Sequence, residues 1–424
     1  MSAATEAAMV SGTGSGAEPD VVSVSDADID ALAVLADAPG TLALLQRARA
    51  SRNLAFLAAV LRDGPDDPQR RIARAGFDTL VTVQRHDPEV VRNTVQHPRF
   101  GAWVAVCAAG LGDGREGSDE VPIAHLASFA AGAAMRARID FDLEVPQVGD
   151  AVVVPGLGCW TGRAGDTARV RYCGTAEPLL AGRRWTPLRW LTARPPAGAV
   201  SIEFDDLPPT PSAWPDIAPV HPDQRWKPWS DSEFGAWQRL FDESVRLLDT
   251  AVPELAAPLS RGFQAVLPRS RDTCPFRSST LADSFGAAAM VLPADTVAAA
   301  TGLLHEFQHS KLSALMEIVP LIETDGPAAL PSPWRREPRP TSAVLHGIYA
   351  HLAVGRLWGR LAANGIAESV PDTAEVRDQT LAACDTLLES DRLTPAGRRF
   401  VTLMRRAAVT DPDGRAAVPT VRWE

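Results

Sequence analysis

Residues 294–318 read ADTVAAATGLLHEFQHSKLSALMEI, an apolar run at helical period with Asp295 at its head and an H-E-x-x-H motif in its middle. Side chains four places apart lie about 40° from each other around a helix, so His305 and His309 project from one face and can meet one ion. Thr301, Leu312 and Met316 share that face, which turns the imidazole pair toward the protein interior. Glu306 stands about 100° around, suited to touching a bound water or a ligand's second nitrogen. A chance match in a chain of this length is on the order of 1%, so the run by itself points to a metal centre. Neutral imidazole suits zinc and iron alike, and the rest of the shell decides between them.

Outward from this helix the same period returns in FGAWQRLFDESVRLLDTAV, SAVLHGIYAHLAVGRLWGRLAA, AEVRDQTLAACDTLLES and PAGRRFVTLMRRAA. Residues 230–424 are therefore expected to form a helical, metal-binding catalytic domain. Between 139 and 229 the period shortens: IDFDLEVP, AVVVPG, TARVRYCG and AVSIEFDD read as strands, and proline-rich residues 208–229 follow as a linker or surface loop. Residues 21–138 read as a second helical region, with Ser25 or Asp26 as its first cap and Pro65, Pro68, Pro88 and Pro98 in the loops that divide it. Residues 1–20 are small and polar without an apolar stripe and are expected to be disordered. The resulting class is α+β, predominantly helical: an N-terminal helical region, a small β-rich middle section and a C-terminal helical metal-binding domain.

Composition removes several function classes. The chain has 424 residues, 46% of them hydrophobic and 22% charged, and a net charge of -10. That balance lacks the basic face a nucleic-acid binder needs. No apolar stretch approaches the roughly 18–20 residues that cross a bilayer, and the start lacks signal-peptide order, so a cytoplasmic location and no membrane partner are expected. The five cysteines form no C-x-x-C pair, which fits reduced thiols better than a disulfide frame or a zinc ribbon. There is no G-x-S-x-G elbow, Walker loop or dinucleotide fingerprint in a structural context that would support one.

The third ligand separates the remaining readings. A metzincin would need Gly and His where Leu312 and Leu315 stand, so that class is excluded. A thermolysin-like enzyme takes a glutamate from a following helix, but Glu317 is on the same helix and Glu323 and Glu337 fall in a proline-broken loop. His346 and His351 are the next ligand-type side chains, about 140° apart on one helix, so one of them is expected to reach the ion. His351 lies on the stripe of Val344, Ile348, Leu352 and Gly355, while His346 shares its side with Tyr349 and Ala353. Burial alone does not choose between them.

The stretches FRSSTLADSFGAAAMVLPAD (276–295), LLHEFQHSKLSALMEIVPL (303–321), PWRREPRPTSAVLHGIYAHLAV (333–354) and LTPAGRRF (393–400) together resemble the HExxH-type peptide β-hydroxylases. Those enzymes depend on 2-oxoglutarate and act in the biosynthesis of ribosomally made, modified peptides. The resemblance covers about the last 160 to 200 residues well, through Lys311, Ala314 and Leu315 after the motif, a W-R-x-x-P-R-P loop, and an L-H-G step at Leu345, His346 and Gly347. It implies an Fe(II) oxygenase with His305, His309 and His346 as metal ligands and Glu306 as a catalytic or ligand-orienting group. His351 is a second histidine that the resemblance does not account for.

The same resemblance implies 2-oxoglutarate as cosubstrate, O₂ as oxidant and a ribosomally synthesised precursor peptide as substrate, hydroxylated at a side-chain Cβ, with partner maturation enzymes nearby. A planar, bidentate cation suits the cosubstrate's distal carboxylate. Arg339 is the first choice and Arg336 the second; Arg277, Ser278, Ser279 and Asp283 are candidates for the cosubstrate or the peptide. The competing reading is a zinc metallopeptidase with Glu306 as general base. A third is a metal-free module that binds a peptide or partner enzyme.

Overall fold

The computed structural model describes residues 24–37, 39–62, 67–112, 122–162, 165–174, 180, 183–208, 228–270, 278–323, 330–365 and 370–410. Residues 1–20, the stretch 209–227 of the proline-rich segment, and Arg277 lie outside them. The described chain is about 60% helix and 18% strand, the predominantly helical α+β class that the sequence implies. Among the described residues no helix is long and apolar enough to cross a membrane.

Six helices come first: α1 (Asp26–Ala33), α2 (Pro39–Arg62), α3 (Pro68–His86), α4 (Pro88–Gln96), α5 (Pro98–Gly112) and α6 (Leu126–Arg136). Ser25 caps α1 in a reciprocal box with Asp28. Pro68, Pro88 and Pro98, expected to lie in loops, are instead the first residues of α3, α4 and α5. A missing N–H costs nothing there, and Asp67 and Asp87 supply the caps of α3 and α4.

The expected strands appear as β1 (Phe141–Pro146), β2 (Ala151–Val154), β4 (Thr167–Tyr172) and β7 (Val200–Phe204), joined by β3 (Gly158–Thr161), β5 (Arg184–Pro187) and β6 (Arg189–Ala193). After them α7 (Asp231–Ala251) and α8 (Pro253–Gly262) return the chain to the sheet. The segment expected to be helical then yields β8 (Ala265–Arg269), β9 (Ser278–Thr280) and β10 (Ala287–Val291). These join β6 and β7 in one five-stranded sheet of order β6-β7-β8-β10-β9, parallel at its centre and antiparallel at both edges. Every residue of β10 is buried, and a short apolar run of this kind carries no period that separates strand from helix.

From β10 the chain enters α9 (Thr296–Met316), whose first turn Asp295 caps through Ala298 N–H at 2.8 Å. A two-stranded hairpin, β11 (Leu330–Ser332) and β12 (Arg335–Arg339), leads into α10 (Thr341–Ala363), followed by α11 (Thr373–Glu389) and α12 (Pro395–Thr410). Two main cores hold this together. One joins Ile29, Leu32, Leu42 and Leu45 to the five-stranded sheet and to α7–α12; the other joins α3–α6 to β1–β4. The first core thus draws α1 and the start of α2 out of the N-terminal helical region and onto the metal-motif helix.

Candidate metal centre

Helices α9 and α10 pack side by side and are pinned by Trp358, whose Nε1–H donates to Thr301 Oγ1 at 2.9 Å, one turn before His305. Between them stand the motif histidines and both α10 histidines. His305 Nε2 lies 2.9 Å from His309 Nε2, and the rings meet edge to face. His346 presents Nδ1 to His309 Nδ1 at 3.3 Å. The ring centroids of His351 and His305 are 5.4 Å apart. Both α10 positions therefore reach the pair, which the helical wheel alone assigned to one of them.

The two approach from opposite sides. His309 turns Nε2 to His305 and Nδ1 to His346, so these three rings do not yet point at one centre. Among the described residues no group of three His, Cys, Asp or Glu donors is already gathered as a metal cage. The donor chemistry nevertheless fits a transition metal. Two neighbouring ligands about 2.1 Å from one ion are separated by about 3.0 Å, close to the gap between the facing Nε2 atoms.

Protonation favours the same role. Burial holds His309 well below the usual imidazole range, and the neighbouring His305, His346 and His351 push the same way. Burial also lowers His305, against the opposing charge of Glu306. His351 is pushed down to about 4, by burial and then by His305. These rings are neutral at pH 7, the form that binds metal. His351 Nδ1–H donates to the Gly347 carbonyl at 2.8 Å, which leaves Nε2 as the lone-pair nitrogen.

Glu306 is 2% exposed and faces β9, where its Oε2 accepts from Thr280 Oγ1 at 2.5 Å. Trp334, in the hairpin turn, stacks flat on His351 with centroids 4.2 Å apart and planes 10° apart. The same indole lies on the α10 backbone at Gly347, where a Cβ would come within 2.6 Å of it. Only glycine admits that contact. Thr280 was not singled out from the sequence, and Trp334 entered only as the tryptophan of the W-R-x-x-P-R-P loop, with no role at the site.

The other expected residues are scattered. Arg336 and Arg339 lie on β12, whose five residues are all exposed. Ser278 and Ser279 are half-buried in β9 opposite Met290 and Ala289. Asp283 is held by Arg52 of α2. Tyr349, which shares the His346 side of α10, is buried against Phe400 and Lys311. A shallow cleft shares His351 as a wall with the histidine cluster and brings in Arg356, Thr373, Arg377 and Thr380. Arg356 donates there to the Val34 carbonyl at 3.2 Å and Arg377 pairs with Asp378 at 3.2 Å; neither stands out in the sequence, because each looks like any other arginine on an amphipathic helix.

Among the described residues Cys107, Cys159 and Cys384 are buried free thiols, each pushed up to about 12 by burial, and Cys173 is exposed. None approaches the histidines as a ligand. No protein-family model matches this chain, and no curated protein matches it.

Proposed function

We propose that the chain is an Fe(II)- and 2-oxoglutarate-dependent oxygenase that hydroxylates a side-chain Cβ in a ribosomally synthesised precursor peptide. The observation that carries this reading is the gathering of His305, His309, His346 and His351 between two packed helices, with Glu306 turned aside toward Thr280. A peptidase needs that glutamate free to take a proton from metal-bound water. Here its Oε2 is engaged by a hydroxyl on the far strand, which supports the oxygenase over the zinc metallopeptidase.

His305 and His309 would hold the metal through Nε2, and α10 would supply the third donor. The resemblance implies His346; the carbonyl that fixes His351 Nδ1–H favours His351. Metal content of His346→Ala and His351→Ala decides, because loss of the true ligand empties the site and loss of the other does not. When bound, iron, O₂ and 2-oxoglutarate supply the oxidising power that places a hydroxyl on carbon, with succinate and CO₂ as co-products. The protein's share is placement. The distal carboxylate of the cosubstrate would be taken by a guanidinium near the cluster: Arg339 or Arg336, as the resemblance implies, or Arg377 in the cleft beside His351, in exchange for its present partner Asp378. Trp334 covers His351 and keeps bulk water from that side.

The test is intact mass of a short peptide encoded beside the gene, incubated with enzyme, Fe(II), ascorbate and 2-oxoglutarate, with each omitted in turn. The expected product is one oxygen heavier and uncut, and forms only in the complete mixture. Cleavage supported by zinc would overturn the reading. A visible charge-transfer band on anaerobic addition of Fe(II) and 2-oxoglutarate, absent in His309→Ala, gives a second readout that needs no peptide.

A further inference from the structure

The loop between β9 and β10 is gripped from the N-terminal helices. Arg49, in the middle of α2, is 3% exposed. Its guanidinium donates to the Ala282 carbonyl at 2.5 Å and lies 2.8 Å from Glu317 Oε1, so one side chain spans the loop after β9 and the residue that ends α9. Arg52, one turn on, pairs with Asp283 and lies 3.4 Å from the same Glu317 oxygen. Helix α5 closes the other side of the loop. Ser284 Oγ–H donates to the Pro98 carbonyl at 3.2 Å, and a Cβ at Gly101 would overlap the Asp283 carbonyl oxygen.

Only Leu281 separates Ala282 from Thr280, whose hydroxyl meets the Glu306 carboxylate and, at 3.1 Å, the Glu306 carbonyl. Strand β9 is therefore tied to α9 at two levels, at Glu306 directly and at Glu317 through Arg49, about 16 Å apart along the helix. A hydroxyl bond is lost over a stretch of about 1 Å, so a loop two residues away that shifted by that much would release Glu306. Burial pushes Arg49 down to about 10 against the opposing charge of Glu317, and its Nε has no hydrogen-bond partner among the described residues. A cation buried on those terms is a poor source of stability, and what it supplies is a fixed distance between two elements. We propose that Arg49 is a positioning residue for the metal centre: through the Ala282 carbonyl it sets the place of Thr280 against Glu306, which makes α2 part of the site's outer frame. This deepens the reading above and rests on it only in taking Glu306 as a group that orients the metal ligands.

Arg49→Lys keeps the charge but loses the planar fork that reaches two acceptors at once. A cycle with Thr280→Val, on the full chain without metal, reads the coupling. Thr280→Val should lower the melting temperature of the parent, and that drop should be at least halved in the Arg49→Lys background, where the hydroxyl is already displaced from Glu306. Arg405→Lys, at the pair with Asp385 between α11 and α12, should leave the drop unchanged. The second readout is Co(II), added to the apoprotein in place of iron. Arg49→Lys should bind it roughly tenfold more weakly and with a shifted visible band, the scale of losing a group that holds a ligand from behind. Arg52→Gln, at a side chain 21% exposed, should move both readouts the same way by less, and it takes the place of Arg49→Lys should that chain not fold. Equal drops in melting temperature in the two backgrounds overturn the proposal, and so does Co(II) bound by Arg49→Lys with the affinity and band of the parent. If the parent takes up no Co(II), the oxygenase reading falls and the cycle alone decides the coupling.

Discussion

The Lys311 ammonium and the Asp37 carboxylate form a fully buried ion pair, with side chains 1% and 2% exposed, that ties the loop after α1 to the motif helix two residues beyond His309. The pair is enclosed by Phe307 and Tyr349, whose rings lie 5.7 and 5.5 Å from the ammonium. Asp37 therefore holds α9 in place from a segment more than 270 residues upstream. Removing one partner leaves the other charge stranded, so Asp37→Ala should cost about 3–5 kcal/mol. Replacing both, as Lys311→Met with Asp37→Leu, should recover most of that loss. Urea denaturation of the three variants checks the sign and the recovery.

Trp334, Gly347 and His351 form a second unit. A methyl group at position 347 would stand 2.6 Å from the indole, closer than two carbons approach, so Gly347→Ala must lift the hairpin turn off His351. The expected result is a fall in the proposed peptide hydroxylation on the order of tenfold, the usual cost of losing a group that orients a ligand, with helix content unchanged. Trp334→Ala in the same chain removes the clash and should raise the melting temperature above that of Gly347→Ala alone. A double variant no more stable than the single one would show that the contact does not set the hairpin's position.

Thr280 is the third test. Its hydroxyl donates to the buried Glu306 carboxylate, and valine has the same shape without the donor. Thr280→Val should therefore destabilise the fold by about 1–3 kcal/mol through a carboxylate left short of a partner. It should also weaken iron binding by roughly 10–100-fold if Glu306 orients the histidines from that position. Thr280→Ser should restore both. Titration of iron into the apoprotein, followed by the charge-transfer band, separates the two effects.

The motif helix was the most legible part of the chain because its signals agree: period, N-cap and spaced histidines all mark 296–316 as one element. Strand β10 was illegible for the opposite reason. AAAMV has weak strand propensity and no alternation, and it becomes a strand because it is wholly buried between β8 and β9. The third-ligand question shows a different limit. A helical wheel separates His346 and His351 by angle, but the facing motif histidines are themselves one turn apart, so each finds a neighbour. The arginines were the hardest to place. With arginine supplying nearly all the positive charge, Arg339 in a loop-like PRP context and Arg377 on a helix carry equal weight until the cleft beside His351 is seen.

His125 provides a pH test outside the histidine cluster. It ends a short 3₁₀ turn (Ile123–His125) at the start of α6, is buried, and has no hydrogen-bond partner for Nδ1 among the described residues. Burial lowers it from 6.5 to about 4. Between those values the unfolded chain binds a proton that the folded chain refuses, so acid favours unfolding. Above pH 6.5 both states are neutral and this loss is absent; it grows as pH falls and is complete near pH 4. The shift corresponds to roughly 3 kcal/mol across that window. His125→Leu keeps the site filled and removes the titration, so its stability should fall less steeply than the parent's between pH 6.5 and 4. Urea midpoints at half-unit steps of pH measure the two slopes, and parallel slopes would show that His125 does not titrate in this way.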